Sequence, residues 1–310
     1  MGKIAFLFAG QGAQYVGMGK DLYQNFSEVR KLFDLANDIL GYDIVDICFN
    51  GPEDELKKTE NTQPAVYMMG VAACSILKSN GIRPHMTAGL SLGEYGALTA
   101  AESIAFKDGV SLVQKRGKFM QEAVPLGEGG MAAILGLSEQ EVKKCCVMAS
   151  DVGIVEAANY NCPGQIVVSG QIKAVEKACE LAKDMGAKRA IPLSVSAPFH
   201  CSLLEPAAVK LKDELDKIEI KDPVIPVISN VEAKPSTSGE HIRELLIKQV
   251  THPVRWQQSI EYMIEAGADI FIELGPGKTL TNFLKRIDRN VIGYNVEDMK
   301  SLEKTLKELE

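Results

Sequence analysis

Apolar residues fall along this chain in two rhythms. Short continuous runs suit buried parallel strands, and three-to-four spacing suits helices that cover a sheet. Residues 4–8 form one such run, ending at the tight turn Gly10-Gln11-Gly12. A helix is predicted over about 18–26, and helical spacing recurs over 34–40, 65–77 and 106–122. The 65–77 helix is entered through Asn61-Thr62-Gln63-Pro64, which puts proline in its first turn, where a missing N–H costs little. Nearer the end, strand-like runs at 225–229, 270–274 and 291–294 alternate with helical stretches at 241–249, 257–266 and 279–287. That alternation predicts an α/β domain on a parallel sheet. The Pro, Ser and Thr between Lys234 and Gly239 predict a surface loop.

The middle of the chain follows another order. Pro125-Leu126-Gly127-Glu128-Gly129-Gly130 reads as a linker, followed by a strand at 131–136. The helix after it, 138–150, opens with Ser138 and has Glu141 three residues on, a capping-box pattern. Strands at 155–160 and 165–169 joined by a turn at 161–164, a helix at 172–185 and a strand at 188–193 complete a β-α-β-β-α-β order. This is the ferredoxin-like unit. Residues 126–197 are therefore expected to form a small domain inserted into a discontinuous large one, 1–125 and 198–310.

Composition removes several function classes. A chain of 310 residues, 46% of them hydrophobic, can bury a large core. Its net charge of -7 and lack of any Lys/Arg run argue against a nucleic-acid partner. No apolar run reaches membrane-spanning length and the opening segment lacks a cleavage pattern, so no membrane association and a cytoplasmic location are expected. Seven scattered cysteines without Cys-x-x-Cys read as reduced packing residues. The four histidines, at 85, 200, 241 and 252, lack metal-ligand spacing; neither metal nor cofactor is expected.

Gly89-Leu90-Ser91-Leu92-Gly93 fits Gly-x-Ser-x-Gly, a sharp strand-to-helix turn. On the pattern alone two readings stand: an idle serine in a glycine-rich turn, or an exposed nucleophile at a helix N-terminus that favours a developing anion. A serine hydroxyl needs a base beside it. His200 is the leading candidate, because it follows the last small-domain strand, where the chain re-enters the large domain and a cleft can take a ligand. His241 lies in a polar amphipathic stretch and reads as a surface residue, and His85 and His252, each beside a proline, are weaker. The N–H of Leu92 and the loop holding Gln11 are candidate oxyanion donors. That loop could instead cradle phosphate, but it lacks the third glycine of a dinucleotide fingerprint. Gly277-Lys278-Thr279 resembles the end of a P-loop, yet the first glycine required falls at Ile272, which rejects a nucleotide triphosphatase. Arg116, among Lys115 and Lys118, is either a solvated charge or, if it faces the cleft, a planar fork for a carboxylate.

Several separated segments together resemble one family, the malonyl-CoA:acyl carrier protein transacylases, over essentially the whole chain. They are Phe8-Ala9-Gly10-Gln11-Gly12-Ala13-Gln14, Asn61-Thr62-Gln63-Pro64-Ala65 and Gly89-Leu90-Ser91-Leu92-Gly93-Glu94-Tyr95. Further on come Gln114-Lys115-Arg116-Gly117, the segment Ala158 to Gln165, Ala197-Pro198-Phe199-His200, and Gln249 before His252-Pro253-Val254-Arg255-Trp256. The resemblance implies an α/β fold, with an α/β-hydrolase-like large domain and the inserted ferredoxin-like one. It implies malonyl-CoA and acyl carrier protein as partners, and a monomer. Position by position it makes Ser91 the nucleophile, His200 the base, Arg116 the clamp on the malonyl carboxylate, and Gln11 with Leu92 N–H the oxyanion donors. Gln249 would orient His200 through its carbonyl group, and Asn159, with Asn161, would contact pantetheine, although hairpin turns favour Asn for backbone reasons too. One departure is Leu90, where the family often has histidine. Phe199 either narrows the cleft toward malonyl or simply packs. Lys188, Arg189, Lys115 and Lys118 are either a basic patch for an acidic carrier or solvated charges.

Three rivals remain at this stage: a Ser-His thioester hydrolase, malonyl loading for a polyketide synthase, and an inert carrier-binding module. Continued release of CoA without carrier marks the hydrolase, carrier preference marks the polyketide role, and failure to acylate marks the inert module.

Overall fold

A computed structural model describes residues 2–195 and 197–309; Met1, Ser196 and Glu310, which fall in the opening segment, the re-entry segment and the C-terminus, lie outside the described residues. The strands are β1 Lys3–Phe8, β2 Met86–Gly89, β3 Gly129–Leu135, β4 Val155–Cys162, β5 Gln165–Gln171, β6 Arg189–Pro192, β7 Val227–Ile228, β8 Pro235–Ser236, β9 Ala268–Leu274 and β10 Ile292–Val296. They form a six-stranded sheet in the order β10-β9-β1-β2-β7-β8 and a four-stranded sheet in the order β4-β5-β3-β6. All pairs of the larger sheet are parallel except β7 with β8. All pairs of the smaller are antiparallel, which with its two helices is the ferredoxin-like arrangement.

Strand alternation distributes the core. Phe6 and Phe8 of β1 point into one apolar cluster and Ala5 and Leu7 into another, so the strand is covered on both faces, as its unbroken apolar run required. A third cluster, with Ile134, Val142, Val168 and Val175, lies between the small sheet and its helices Glu139–Ala149 and Ile172–Asp184. The capping box expected at Ser138 is present: its hydroxyl accepts from the Glu141 N–H, and Glu141 accepts from the Ser138 N–H.

Several boundaries differ from the sequence reading. The first helix is Lys20–Asn25, and the second, Ser27–Leu40, begins seven residues earlier than its apolar spacing indicated. The long helix is Thr59–Ser79, so Pro64 sits in its second turn and not its first. Its polar opening was misleading because Asn61, Thr62 and Gln63 are buried and bonded inside the molecule. The expected loop at 234–239 contains β8, an edge strand pairing Ile228 with Pro235, where proline withholds no ladder bond that the sheet needs.

The small sheet is joined to the large one through the segment His252 to Trp256. Tyr160 N–H donates to Val254 O at 2.9 Å and Val254 N–H donates to Ala158 O at 2.8 Å, extending the β4 edge. All seven cysteines are buried and free. Among the described residues no helix is long and apolar enough to cross a membrane, and no group of three or more His, Cys, Asp or Glu could hold a metal ion.

Candidate active site

Phe8 and Gly89 are partners at the carboxyl ends of β1 and β2, so the loops that follow them leave the same edge of the sheet, where α/β folds place their ligands. The two loops touch. A Cβ on Gly10 would lie 2.5 Å from Leu90 O, and one on Gly93 2.1 Å from Phe8 O, so neither position accepts a side chain. Ser91 between them is held at φ 52°, a left-handed conformation costly for a residue with a side chain, at the entrance to the helix Gly93–Ala100.

Ser91 Oγ lies 2.7 Å from His200 Nε2, and His200 Nδ1 lies 2.8 Å from the main-chain carbonyl of Gln249. A carbonyl only accepts, so Nδ1 carries the proton and Nε2 offers its lone pair to the Ser91 hydroxyl. Burial, and then the charge of Arg116, push the His200 pKa down to about 3. The base form is required, so reactivity is present above that pKa and lost as pH falls through it. Phosphonylation of Ser91 by a fluorophosphonate is therefore expected to stay fast at pH 5, where an unperturbed imidazole of pKa ~6.5 is almost fully protonated. An acid limb at the ordinary imidazole value would contradict this.

Arg116, on the helix Phe106–Glu122, is only 1% exposed, which removes the solvated reading. Its Nη1 donates to Gln63 Oε1 at 2.9 Å, and its Nη2 donates to Gln249 Oε1 at 2.9 Å and to Ser91 Oγ at 3.1 Å. The Tyr95 ring lies 5.4 Å from the guanidinium carbon. No carboxylate among the described residues is within ion-pair distance of it, so a full positive charge is held beside the serine without a direct acidic partner.

A cavity of about 920 Å³ opens onto these groups, lined among others by Gln11, Ser91, Arg116, Asn159, Phe199 and His200. The Leu92 N–H finds no acceptor among the described residues. The Gln11 side chain makes only long contacts, 3.5 Å to Thr59 and 3.4 Å to Gln63. Asn159 and Asn161 are both buried on the cavity wall, and Asn161 Oδ1 has no partner. The remaining candidates sit elsewhere. His85 Nδ1 accepts from the Ile4 N–H, His241 lies 3.6 Å from Glu232, and His252 Nδ1 contacts Lys248 O. Lys115 is paired with Glu214 at 2.6 Å and Lys118 with Glu122 at 4.0 Å. At the P-loop look-alike, Glu273 of β9 fills the start of the helix Thr279–Ile287, accepting from the N–H groups of Leu280 and Thr281 where a phosphate would need to lie.

Sequence reasoning missed the residues that brace the serine turn. Asn230 accepts the Ser91 N–H at 2.6 Å and donates to Gly89 O at 2.7 Å, spanning the strained turn with one amide. It also takes the nucleophile's own N–H out of oxyanion duty. Glu94, 3% exposed, accepts from the Asn230 N–H at 3.0 Å and from Gln249 Nε2 at 2.7 Å, and burial pushes its pKa up to about 7. Gln63 and Glu94 stood inside quoted motifs, but Asn230 follows an ordinary apolar run and gave no local signal.

The model of the acyl transferase domain family matches residues 5–305. A malonyl CoA-acyl carrier protein transacylase of Bacillus subtilis (strain 168) is 50% identical, over 99% of this chain and 98% of the relative. The crystal structure of the malonyl CoA-acyl carrier protein transacylase from Clostridium perfringens superimposes with a TM-score of 0.96 at 53% identity, covering 99% of this chain and 97% of that one. A malonyl-transacylase solved in complex with its type II PKS acyl carrier protein superimposes equally well, TM-score 0.96 at 43% identity, with 99% of each chain covered. With sequence, fold and this full-length likeness in agreement, the chain belongs to the malonyl-CoA:acyl carrier protein transacylase family.

Proposed function

We propose that this protein, acting as a cytoplasmic monomer, moves the malonyl group of malonyl-CoA onto the phosphopantetheine thiol of acyl carrier protein, supplying fatty-acid synthesis. The observation that carries this reading is Arg116, a buried guanidinium 3.1 Å from the nucleophile Oγ. One Nη1 proton is not used by Gln63, and the Nη2 proton now on Ser91 can be handed to a ligand, which together make a fork for the malonyl carboxylate.

The reaction is ping-pong. His200 Nε2 takes the Ser91 proton as Oγ attacks the thioester carbonyl, whose oxygen becomes an anion facing Leu92 N–H and Gln11. The C–S bond then breaks, CoA leaves with the proton from His200, and malonyl remains as an ester on Ser91. In the second half the carrier thiol gives its proton to His200 and attacks the ester, and Ser91 leaves with that proton. Asn159 and Asn161 meet the amides of the pantetheine arm along the cavity wall. Nucleophile, base and donors all come from the chain, so no metal or cofactor enters.

Incubation with malonyl-CoA alone is expected to give one malonyl addition by intact mass and one equivalent of CoA, after which release stops. Steady CoA release without carrier would convert the reading to a thioester hydrolase, and no addition by folded protein would overturn it. Polyketide loading is kept as a second reading because one solved relative is bound to a type II PKS carrier. Competition between fatty-acid and polyketide carriers for the acylated protein decides between them.

A further inference from the structure

The side chain of Gln249 and its main chain face different partners. The main-chain carbonyl holds His200, and the side-chain amide reaches Arg116. That amide has two possible orientations. Its Nε2 lies among three oxygens: Glu94 Oε2 at 2.7 Å, Ser91 O at 3.0 Å and Asn230 Oδ1 at 3.3 Å. Its Oε1 accordingly faces Arg116 Nη2 at 2.9 Å. Turned over, the amide would set oxygen against those three acceptors and its NH2 against the guanidinium. The contact that fixes the choice is the shortest of the three and the only one to a carboxylate.

We infer that Glu94 is a positioning residue for acyl selectivity: through the Gln249 amide it aims the Arg116 guanidinium at the carboxylate of the incoming acyl group. The inference rests on the reading of Arg116 as the carboxylate clamp. Glu94 is not part of the cavity wall, while Arg116, Gln63 and Ser91 are, so it acts only through its neighbours. A mispointed guanidinium weakens malonyl binding but has nothing to lose against an acetyl group. Glu94 also accepts the N–H of Asn230, which braces the Ser91 turn, and any loosening there lowers both acyl transfers alike; the signature of the aiming role is a change in discrimination on top of that shared loss.

Two variants separate reach from charge. Glu94→Gln keeps the length and an acceptor oxygen for Gln249 Nε2 while removing the charge. Glu94→Asp keeps the charge and draws the acceptor back by one methylene. With kcat and KM measured for malonyl-CoA and acetyl-CoA and holo acyl carrier protein, Glu94→Asp is expected to raise the malonyl-CoA KM and cut the malonyl-to-acetyl preference by about tenfold, the size expected from losing one aligned contact to a charge. Glu94→Gln should retain most of that preference. Equal losses on both substrates, no effect of Glu94→Asp, or a greater loss of preference in Glu94→Gln than in Glu94→Asp would each overturn the inference. Arg116→Ala is run alongside. If it leaves the preference intact, the clamp reading itself has failed; if it abolishes the preference while Glu94→Asp does not alter it, only the positioning role has. Thermal melts of both Glu94 variants confirm that folded proteins are being compared.

Discussion

Ser91→Ala is expected to lower the rate of malonyl transfer by about 10⁴-fold or more, and His200→Ala by a comparable factor. The double variant should lose little further. The physical reason is the 2.7 Å contact between Oγ and Nε2: a serine without its base is a poor nucleophile, and a base without its serine has no proton to take. Each change therefore removes the same reaction path. Residual turnover would come from binding and from the oxyanion donors, which neither change touches. Single-turnover transfer from malonyl-CoA to holo carrier measures all three variants, with intact mass to report the acyl intermediate. Losses that multiplied in the double variant would mean that the two residues act in separate steps.

Arg116→Ala is the second large effect. It removes a buried charge beside Ser91 and with it the proposed fork, leaving the malonyl carboxylate to be buried unpaired. One contact to a charged group is worth about 1.5–3 kcal/mol, so loss of the fork should lower kcat/KM for malonyl-CoA by roughly 10²-fold. Acetyl-CoA brings no carboxylate, and its kcat/KM should fall far less, so the preference between the two narrows. The same change removes a cation beside His200. Since Arg116 is one cause of the lowered His200 pKa, the acid limb of Ser91 reactivity should move upward in this variant. Kinetics on both acyl-CoAs, with a pH series on fluorophosphonate labelling, measure these effects. An unchanged malonyl-to-acetyl ratio would remove Arg116 from the carboxylate site.

What the sequence determined was everything that depends on neighbours along the chain. The apolar run of β1, the Ser138 capping box and the β-α-β-β-α-β order at 131–193 each follow from spacing and local hydrogen-bonding needs. So does the Ser91 turn, whose flanking Gly89 and Gly93 are required by close backbone approach. Resemblance then supplied Arg116 and Gln249, which local pattern could not. Tertiary structure decided which polar residues are buried. Asn61, Thr62 and Gln63 read as a polar helix entry, and Arg116 between two lysines could be a solvated charge as well as a cleft residue, because a polar residue that faces a site looks locally the same as one that faces water. Asn230 lies 139 residues from Ser91, and Gln249 lies 133 from Arg116 and 155 from Glu94. These bonds form only once β2, β7 and the helix Gly239–Thr251 are packed together, and it is that packing, which no local pattern encodes, that aims the guanidinium at the serine.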